Sequence, residues 1–434
     1  MLNDFRQLLR QNRNYRYTWI GQVVSEIGDH FNNIAVFSLA METTRSGLVV
    51  SGIMLSRAVP AVMAGPLAGV VLDRFDRKRI MLASDLVRAV VALAFVLTVR
   101  PHQGSQTSLL YGLSALLMFA SPFFTSGRTS ILPAITSREE LHTANSLTQT
   151  TQWTTLTIGT MVAGLSAASL GYKWAFVLNS LSFLGSAACI WQLRVAGSFR
   201  AKREALTEEQ VVRPWHEYKE GLRYMRSSPL ILGIALIGVG WATGGGAAQI
   251  LFTLFGEQVF NRGPAGIGIV WSAAGVGLLV GGALAHRIGR RISFRQYKRA
   301  VAICYVIHGG AYVLFSQMPT FGAALFFIAL SRAGVAVSSV LNVSQLLRRV
   351  PDEFRGRVFS TAESLTWSTM MVSMTAAGIA SQYHGPRTIG FVAGILSSST
   401  ALFWAWADWK GRLPEPGALA VEPEEVEVHG EPTV

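Results

Sequence analysis

Apolar residues fall along this chain in unbroken runs of about twenty, set apart by short polar turns, and not in the alternating pattern of a half-buried strand. A helix rises about 1.5 Å per residue, so a run of that length matches the ~30 Å hydrocarbon core of a bilayer. Twelve such runs are predicted, at 17–41, 48–72, 80–99, 108–127, 146–170, 174–193, 230–256, 265–285, 299–316, 321–346, 358–381 and 388–409. The expected fold is therefore all-α and integral to the membrane, with twelve transmembrane helices.

The turns between the runs repeat. Gly69-Val70-Val71-Leu72-Asp73-Arg74-Phe75-Asp76-Arg77-Lys78-Arg79 joins the second run to the third and holds them antiparallel. Gly69 is expected to spare a side chain where helices approach, and Asp73 to accept hydrogen bonds from a helix N-terminus or from the arginines. The arrangement returns 213 residues later as Gly282-Ala283-Leu284-Ala285-His286-Arg287-Ile288-Gly289-Arg290-Arg291, with His286 in place of Asp73. Leu141 with Phe354 and Arg13 with Arg226 keep the same spacing. A spacing held across three loops predicts a duplicated chain, two pseudo-symmetric six-helix bundles. The division follows: a first half over 1–195, a linker over 196–228, a second half over 229–409 and a tail over 410–434.

Composition narrows the class. Only 15% of residues are charged, against about 25% in ordinary soluble proteins. The net charge of +13 sits in short loops and not in a basic domain, which argues against nucleic acid. With the N-terminus inside, 29 lysines and arginines fall in the inner loops, five in the outer loops and four within the runs. Both termini are thus expected in the cytoplasm of a multi-pass protein of the cell membrane, in contact with lipid. No cleavable signal peptide is expected. Cys189 and Cys304 lie inside apolar runs and imply no disulfide. The linker is charged, with an amphipathic helix expected near 215–225, and the Pro- and Glu-rich tail is expected to be disordered. Trp19, Trp174, Trp404, Trp406 and Trp409 stand near run ends, where they are expected to anchor at the membrane interface.

The loop pattern Gly-x-x-x-Asp-Arg-x-x-Arg-Lys resembles the signature of the major facilitator superfamily. Gly28-Asp29, Asp85-Leu86-Val87-Arg88 and Arg355-Gly356-Arg357-Val358-Phe359 are similar to the branch that holds enterobactin and macrolide exporters. The resemblance covers about 10 to 410. It implies alternating access about a central cavity lined by the first, fourth, seventh and tenth helices. Exporters of this family often carry Gly-Pro-x-x-Gly-Gly in the fifth helix; here Gly159 to Gly164 keeps the glycine spacing without the proline.

Polar residues inside the runs are costly in hydrocarbon and therefore informative. Gln22, Glu26, Asp29 and Asn33 line one face of the first helix. Burial favours a neutral carboxylate unless a cation compensates, so Asp29 is the leading proton-coupling candidate, followed by Glu26 and Glu363. The bland alternative is that Asp29 pins its helix through Arg57, and that Glu26 is satisfied locally by His30. Arg57 and Arg332, at mid-depth, need a carboxylate, a carbonyl, water or an anionic substrate; Glu363 is an alternative partner for Arg332. The expected gating set is Gly69, Asp73, Arg74, Arg77, Lys78, Asp85 and Arg88, the last two being first of all a local ion pair. Substrate-cavity candidates are Arg57, Gln149, Trp153, Trp241, Gln249, Arg332 and Asn342. Gly244-Gly245-Gly246 is expected to let the seventh helix bend.

No phosphate loop, zinc motif or other metal cluster occurs, and no histidine is followed four residues later by aspartate. The chain is thus expected to be no enzyme and to need no cofactor or metal. The expected function is proton-coupled efflux of an amphipathic small molecule, drug or siderophore-like, by a monomer. Two alternatives stay open: a lysophospholipid or other lipid transporter, and a non-transporting receptor or scaffold of the same fold.

Overall fold

A computed structural model describes residues 2–99, 106–194, 214–289 and 291–414. Most of the linker, most of the second outer loop (100–105), Arg290 and nearly all of the tail lie outside the described residues. Those described form fourteen helices with no strand. A short α1 (Leu2–Gln11) precedes α2 (Arg13–Thr44), α3 (Gly47–Arg74), α4 (Arg77–Ala94), α5 (Gln106–Ile135), α6 (Arg138–Leu170) and α7 (Tyr172–Trp191). The second set opens with α8 (Pro214–Ser227), then α9 (Pro229–Leu254), α10 (Gly263–Gly289), α11 (Phe294–Gln317), α12 (Phe321–Arg349), α13 (Asp352–Ala380) and α14 (Pro386–Trp409).

Each of the twelve predicted runs falls on one long helix. Among the described residues, nine helices are long and apolar enough to cross a membrane. The three long helices outside that group are α2, α6 and α13. They carry Gln22, Glu26, Asp29, Asn33, Gln149 and Glu363, and all three border the space between the halves. Local chemistry starts the helices where the polar turns lie. Asp76 caps α4 by accepting from the Arg79 N–H at 3.0 Å. Ser137 with Glu140, and Ser293 with Gln296, form reciprocal capping boxes on α6 and α11.

The packing repeats as the loops do. In the first half α2 packs on α7 and α6, α3 on α5, and α4 on α5 and α7. Seven helices later the same pairs recur: α9 with α14 and α13, α10 with α12, and α11 with α12 and α14. Even α1 against α6 has its counterpart in α8 against α13.

Two local expectations are corrected, at Trp404 and Gly69, and the glycine run has a use of its own. α9 runs without a break through the glycine run. Gly244 and Gly246 let α9 lie directly against the main chains of α14 at Ala393 and α13 at Met370. Trp404 is no interface anchor: it is fully buried and its indole N–H donates to the Lys298 carbonyl at 2.9 Å. A side chain at Gly69 would meet open space, so no helix approaches closely there.

Candidate functional site

The halves meet at two seams. Along one, α10 lies on α6, and every seventh residue of α10 is glycine: Gly268 against Gly164, Gly275 against Thr157, and Gly282 against the ring of Trp153. Gly164 of α6 makes backbone contact with the other half, whereas Gly159 fits against His30 of α2 in its own half. At the other seam α3 meets α13 near one end only. There the Ser51 hydroxyl donates to the Met374 carbonyl, and Gly47 and Gly378 fit against Ser381 and Ser51. The Gln258 amide reaching the Arg45 carbonyl at 3.4 Å adds a further link at that end. Toward the other end Val62, Met63 and Leu67 of α3, and Trp367 of α13, are exposed.

Between the seams lies a cavity of about 320 Å³. Its walls come from both halves: His30, Asn33, Ile34 and Phe37 of α2, Met54, Arg57, Ala58 and Ala61 of α3, Met118 of α5, and Leu156 and Thr160 of α6. Gln249 of α9, Trp271 of α10 and Trp367, Met370 and Met374 of α13 complete it. Arg57 is the one lining group with a fixed charge. Its guanidinium stands over the Phe37 ring at 5.7 Å, with one nitrogen 4.0 Å from the Met118 sulfur. The methionines escaped the sequence reading because in isolation a thioether looks like core.

Beside the cavity, inside the first half, runs a chain of charges. Asp29 has one carboxylate oxygen buried without a hydrogen-bond partner, as do the side-chain oxygens of Asn32 and Asn33 on the same stretch. The cations whose charge acts on Asp29 are Arg88 and Arg57. Arg88 pairs directly with Asp85, both fully enclosed, and its guanidinium is stacked between Phe124 and Phe183 at 4.5 and 4.4 Å. This pair belongs to the core between α4, α5 and α7, away from the Asp73 turn. Glu26 is held by the Gln22 amide and the Thr155 hydroxyl, both at 2.7 Å, in place of His30. Arg128, which the sequence boundary placed just outside a run, is buried near enough to act on Glu26.

The remaining candidates are scattered. Arg332 is buried over the Phe252 ring at 5.1 Å and pairs with no carboxylate among the described residues; Glu363 is exposed on α13, one turn from Trp367. Asn342 accepts from the Tyr297 hydroxyl at 2.7 Å and donates to Ser338, a contact inside the second half. Trp241 packs on Gly245 among the core residues, and Gln149 bonds to Gln152 at 3.3 Å. Of the cavity candidates, Arg57 and Gln249 line the space described here.

In the signature turn, Arg77 donates to the Ser130 carbonyl at 2.8 Å, and Lys78 to the Trp191 and Leu193 carbonyls at 2.7 and 2.9 Å. Lys78 thus closes the carbonyl end of α7, where a cation is favoured. Asp73 and Arg74 are exposed and make no bond among the described residues; the capping expected of Asp73 is done by Asp76. His286 in the second turn is also exposed.

A repeated six-helix packing with a cavity between the halves is how one large class of transporters is built, and the sequence agrees. The profile of the Major Facilitator Superfamily matches residues 18–366. The chain belongs to that superfamily. It is a multi-pass membrane transporter and not an enzyme. Macrolide efflux protein A of Streptococcus pyogenes is 26% identical over 392 residues, 88% of this chain and 92% of that protein. The enterobactin exporter EntS of Salmonella choleraesuis is 26% identical over 372 residues, 83% and 84% of the two chains. Among solved structures, a bacterial homologue of the iron transporter ferroportin in its inward-facing state superposes with a TM-score of 0.66. It is 16% identical and covers 93% of this chain and 99% of its own. At that identity it speaks for the fold alone.

Proposed function

We propose that this transporter exports amphipathic small molecules from the cytoplasm in exchange for protons, with Asp29 as the coupling carboxylate. The observation that carries the reading is the unpartnered Asp29 oxygen, buried next to the cavity-lining His30 and one turn from Asn33, within reach of the charge on Arg57. A substrate donor entering the cavity satisfies that oxygen; on the return leg a proton does so instead. One site cannot hold both, and that exclusion links the two fluxes.

The positive-inside assignment places the Ser51–Met374 seam outside and the Asp73 turn inside, with both termini in the cytoplasm. The structure then corresponds to a cavity closed to the outside. The efflux relatives support the direction of transport. The walls support the substrate class: four thioethers and three aromatic rings adapt to apolar bodies of differing shape, while Arg57, Asn33 and Gln249 offer polar contacts. Asp73 and Arg74, free in this state, are available to the opposite half when the inner ends close.

The test is accumulation in proteoliposomes. A panel of macrolides, catechol siderophores and lysophospholipids is offered with an imposed pH gradient and with an uncoupler. Gradient-driven, uncoupler-sensitive movement of a macrolide or siderophore supports the proposal. Movement of lysophospholipid alone, or no movement of any, overturns it.

A further inference from the structure

Arg57 brings the one fixed charge to the wall of the transport cavity, and among the described residues no carboxylate lines that wall. A guanidinium is a planar fork of N–H donors that matches a carboxylate. What Arg57 meets instead is poor in acceptors: the Phe37 ring at 5.7 Å, and the Met118 sulfur 4.0 Å from one nitrogen. The charge of Asp29 acts on it, yet no ion pair joins the two, whereas Arg88 bonds Asp85 directly. A thioether is a weak acceptor, and a charged oxygen forms a much stronger bond to the same fork.

The same wall holds an unmet acceptor. The side-chain oxygen of Asn33 is buried without a partner, and Asn33 lines the cavity from α2, one turn from the Phe37 ring that Arg57 covers. α2 and α3 thus present a free donor fork and a free oxygen to one space. The second half brings a different surface. Trp271 of α10 and Trp367, Met370 and Met374 of α13 face the cavity there, with Gln249 the only amide beside them. The charge lies on the side of the first half, and the second half offers rings and thioethers to an apolar body.

We propose that Arg57 anchors an acidic group of the substrate, so that the transported class is amphoteric: an apolar body that carries a carboxylate or similar oxyanion together with a hydrogen-bond donor. This rests on the exchange proposed above, which supplies the donor for Asp29. The oxyanion accepts from the Arg57 fork in place of the Met118 sulfur. The donor on the same molecule meets the Asn33 oxygen or, behind it, Asp29, and the body lies against Trp271 and Trp367. A cation without an acid group faces the Arg57 charge uncompensated. An acid without a donor leaves the Asn33 and Asp29 oxygens unmet.

The test uses purified full-length protein in detergent with no pH gradient, so its outcome does not depend on proton coupling. The probes are Nε-dansyl-lysine, which is amphoteric, and its methyl ester, which keeps the amine and the ring and lacks the acid. Saturable energy transfer from tryptophan to dansyl gives Kd. A hydrogen bond between charged partners is worth about tenfold or more in Kd, so the wild type is expected to bind the acid more tightly than the ester by about that factor. Arg57→Gln should remove the preference by weakening the acid alone. Arg57→Lys keeps the charge, loses the fork and should retain part of it. Equal Kd values for acid and ester in the wild type, or binding of neither, overturn the proposal. So does equal weakening of both in Arg57→Gln, which is what an arginine with only a packing role gives. If Arg57→Gln fails to fold, the wild type and Arg57→Lys decide. In the transport panel, proton-driven movement of a macrolide, which has an amine and no acid, without movement of any acid-bearing compound would uphold the exchange and overturn the acid anchor.

Discussion

The Ser51 hydroxyl of α3 donates to the main-chain oxygen of Met374 in α13 at 3.0 Å. The bond crosses from one half to the other at the end where α3 and α13 touch, and both helices run from it into the cavity wall. One such bond contributes about 1 kcal/mol, so the glycine contacts beside it matter as much for holding that end shut.

Gly378 gives the first prediction. A Cβ there would collide with the Ser51 side chain. Gly378→Val should add about 1–3 kcal/mol of overpacking to the closed outer end. With 1.4 kcal/mol per factor of ten, the population shifts toward outward-open by about fivefold to a hundredfold. The measurement is labelling of Phe37→Cys, in the cavity wall, by a membrane-impermeant maleimide applied outside, in a background without Cys189 and Cys304. Faster labelling in the Gly378→Val protein is expected. Equal rates mean that this seam is not the outer gate.

Topology is tested separately. Tyr383, 77% exposed in the turn before α14, should label from outside an intact cell when changed to cysteine, whereas Phe75→Cys, 57% exposed, should label only after permeabilisation. The reverse pattern would invert the orientation drawn from the loop charges.

The signature turns are predicted to be unequal. Asp73 and Arg74 make no side-chain bond among the described residues, and the proposed use of the pair is in the state where the inner ends meet. Asp73→Asn should reduce transport several-fold at unchanged membrane abundance, and His286→Asn should do less. Equal and severe losses at the two positions would remove the distinction.

Much of this arrangement is legible in the sequence. The run lengths and the 213-residue spacing give the helices and the duplication, and the packing pairs repeat accordingly. What the sequence hides is which face of each helix meets which neighbour. Arg332 and Asn342 look like cavity residues by depth, yet they face the interior of their own half. The seven-residue glycine stripe of α10 is readable in principle, but a glycine-rich apolar run also reads as an ordinary membrane helix. Met54, Met118, Met370 and Met374 come from three helices spread over 321 positions, and only folding brings them together.

The Asp85–Arg88 pair is predicted to be structural. Removing one partner of an enclosed ion pair leaves an uncompensated charge and costs about 3–5 kcal/mol. Asp85→Asn should therefore lower Tm by several degrees, whether or not substrate or a pH gradient is present. A protein of wild-type stability that has lost only its pH dependence would move the coupling role to Asp85.

Asp29 carries the last prediction. Three acids lie within the apolar runs of the first half, and their surroundings separate them. Glu26 already accepts from Gln22 and Thr155, and Asp85 is joined to Arg88. Asp29 and Asp85 each keep a buried oxygen without a partner, but Asp29 has no direct ion pair among the described residues and stands beside a residue of the cavity wall. Asp29→Asn fixes the uncharged form, so uphill transport driven by a pH gradient should fall to the background of empty liposomes, while downhill exchange of substrate continues. Asp29→Glu keeps the carboxylate and should retain part of the coupling. Glu26→Gln keeps an oxygen for the Thr155 hydroxyl and should cost much less than Asp29→Asn. The measurement is substrate flux with and without a pH gradient in each protein. If Asp29→Asn still concentrates substrate, the proton is carried elsewhere, and the exposed Glu363, one turn from Trp367 on α13, is the next carboxylate to test.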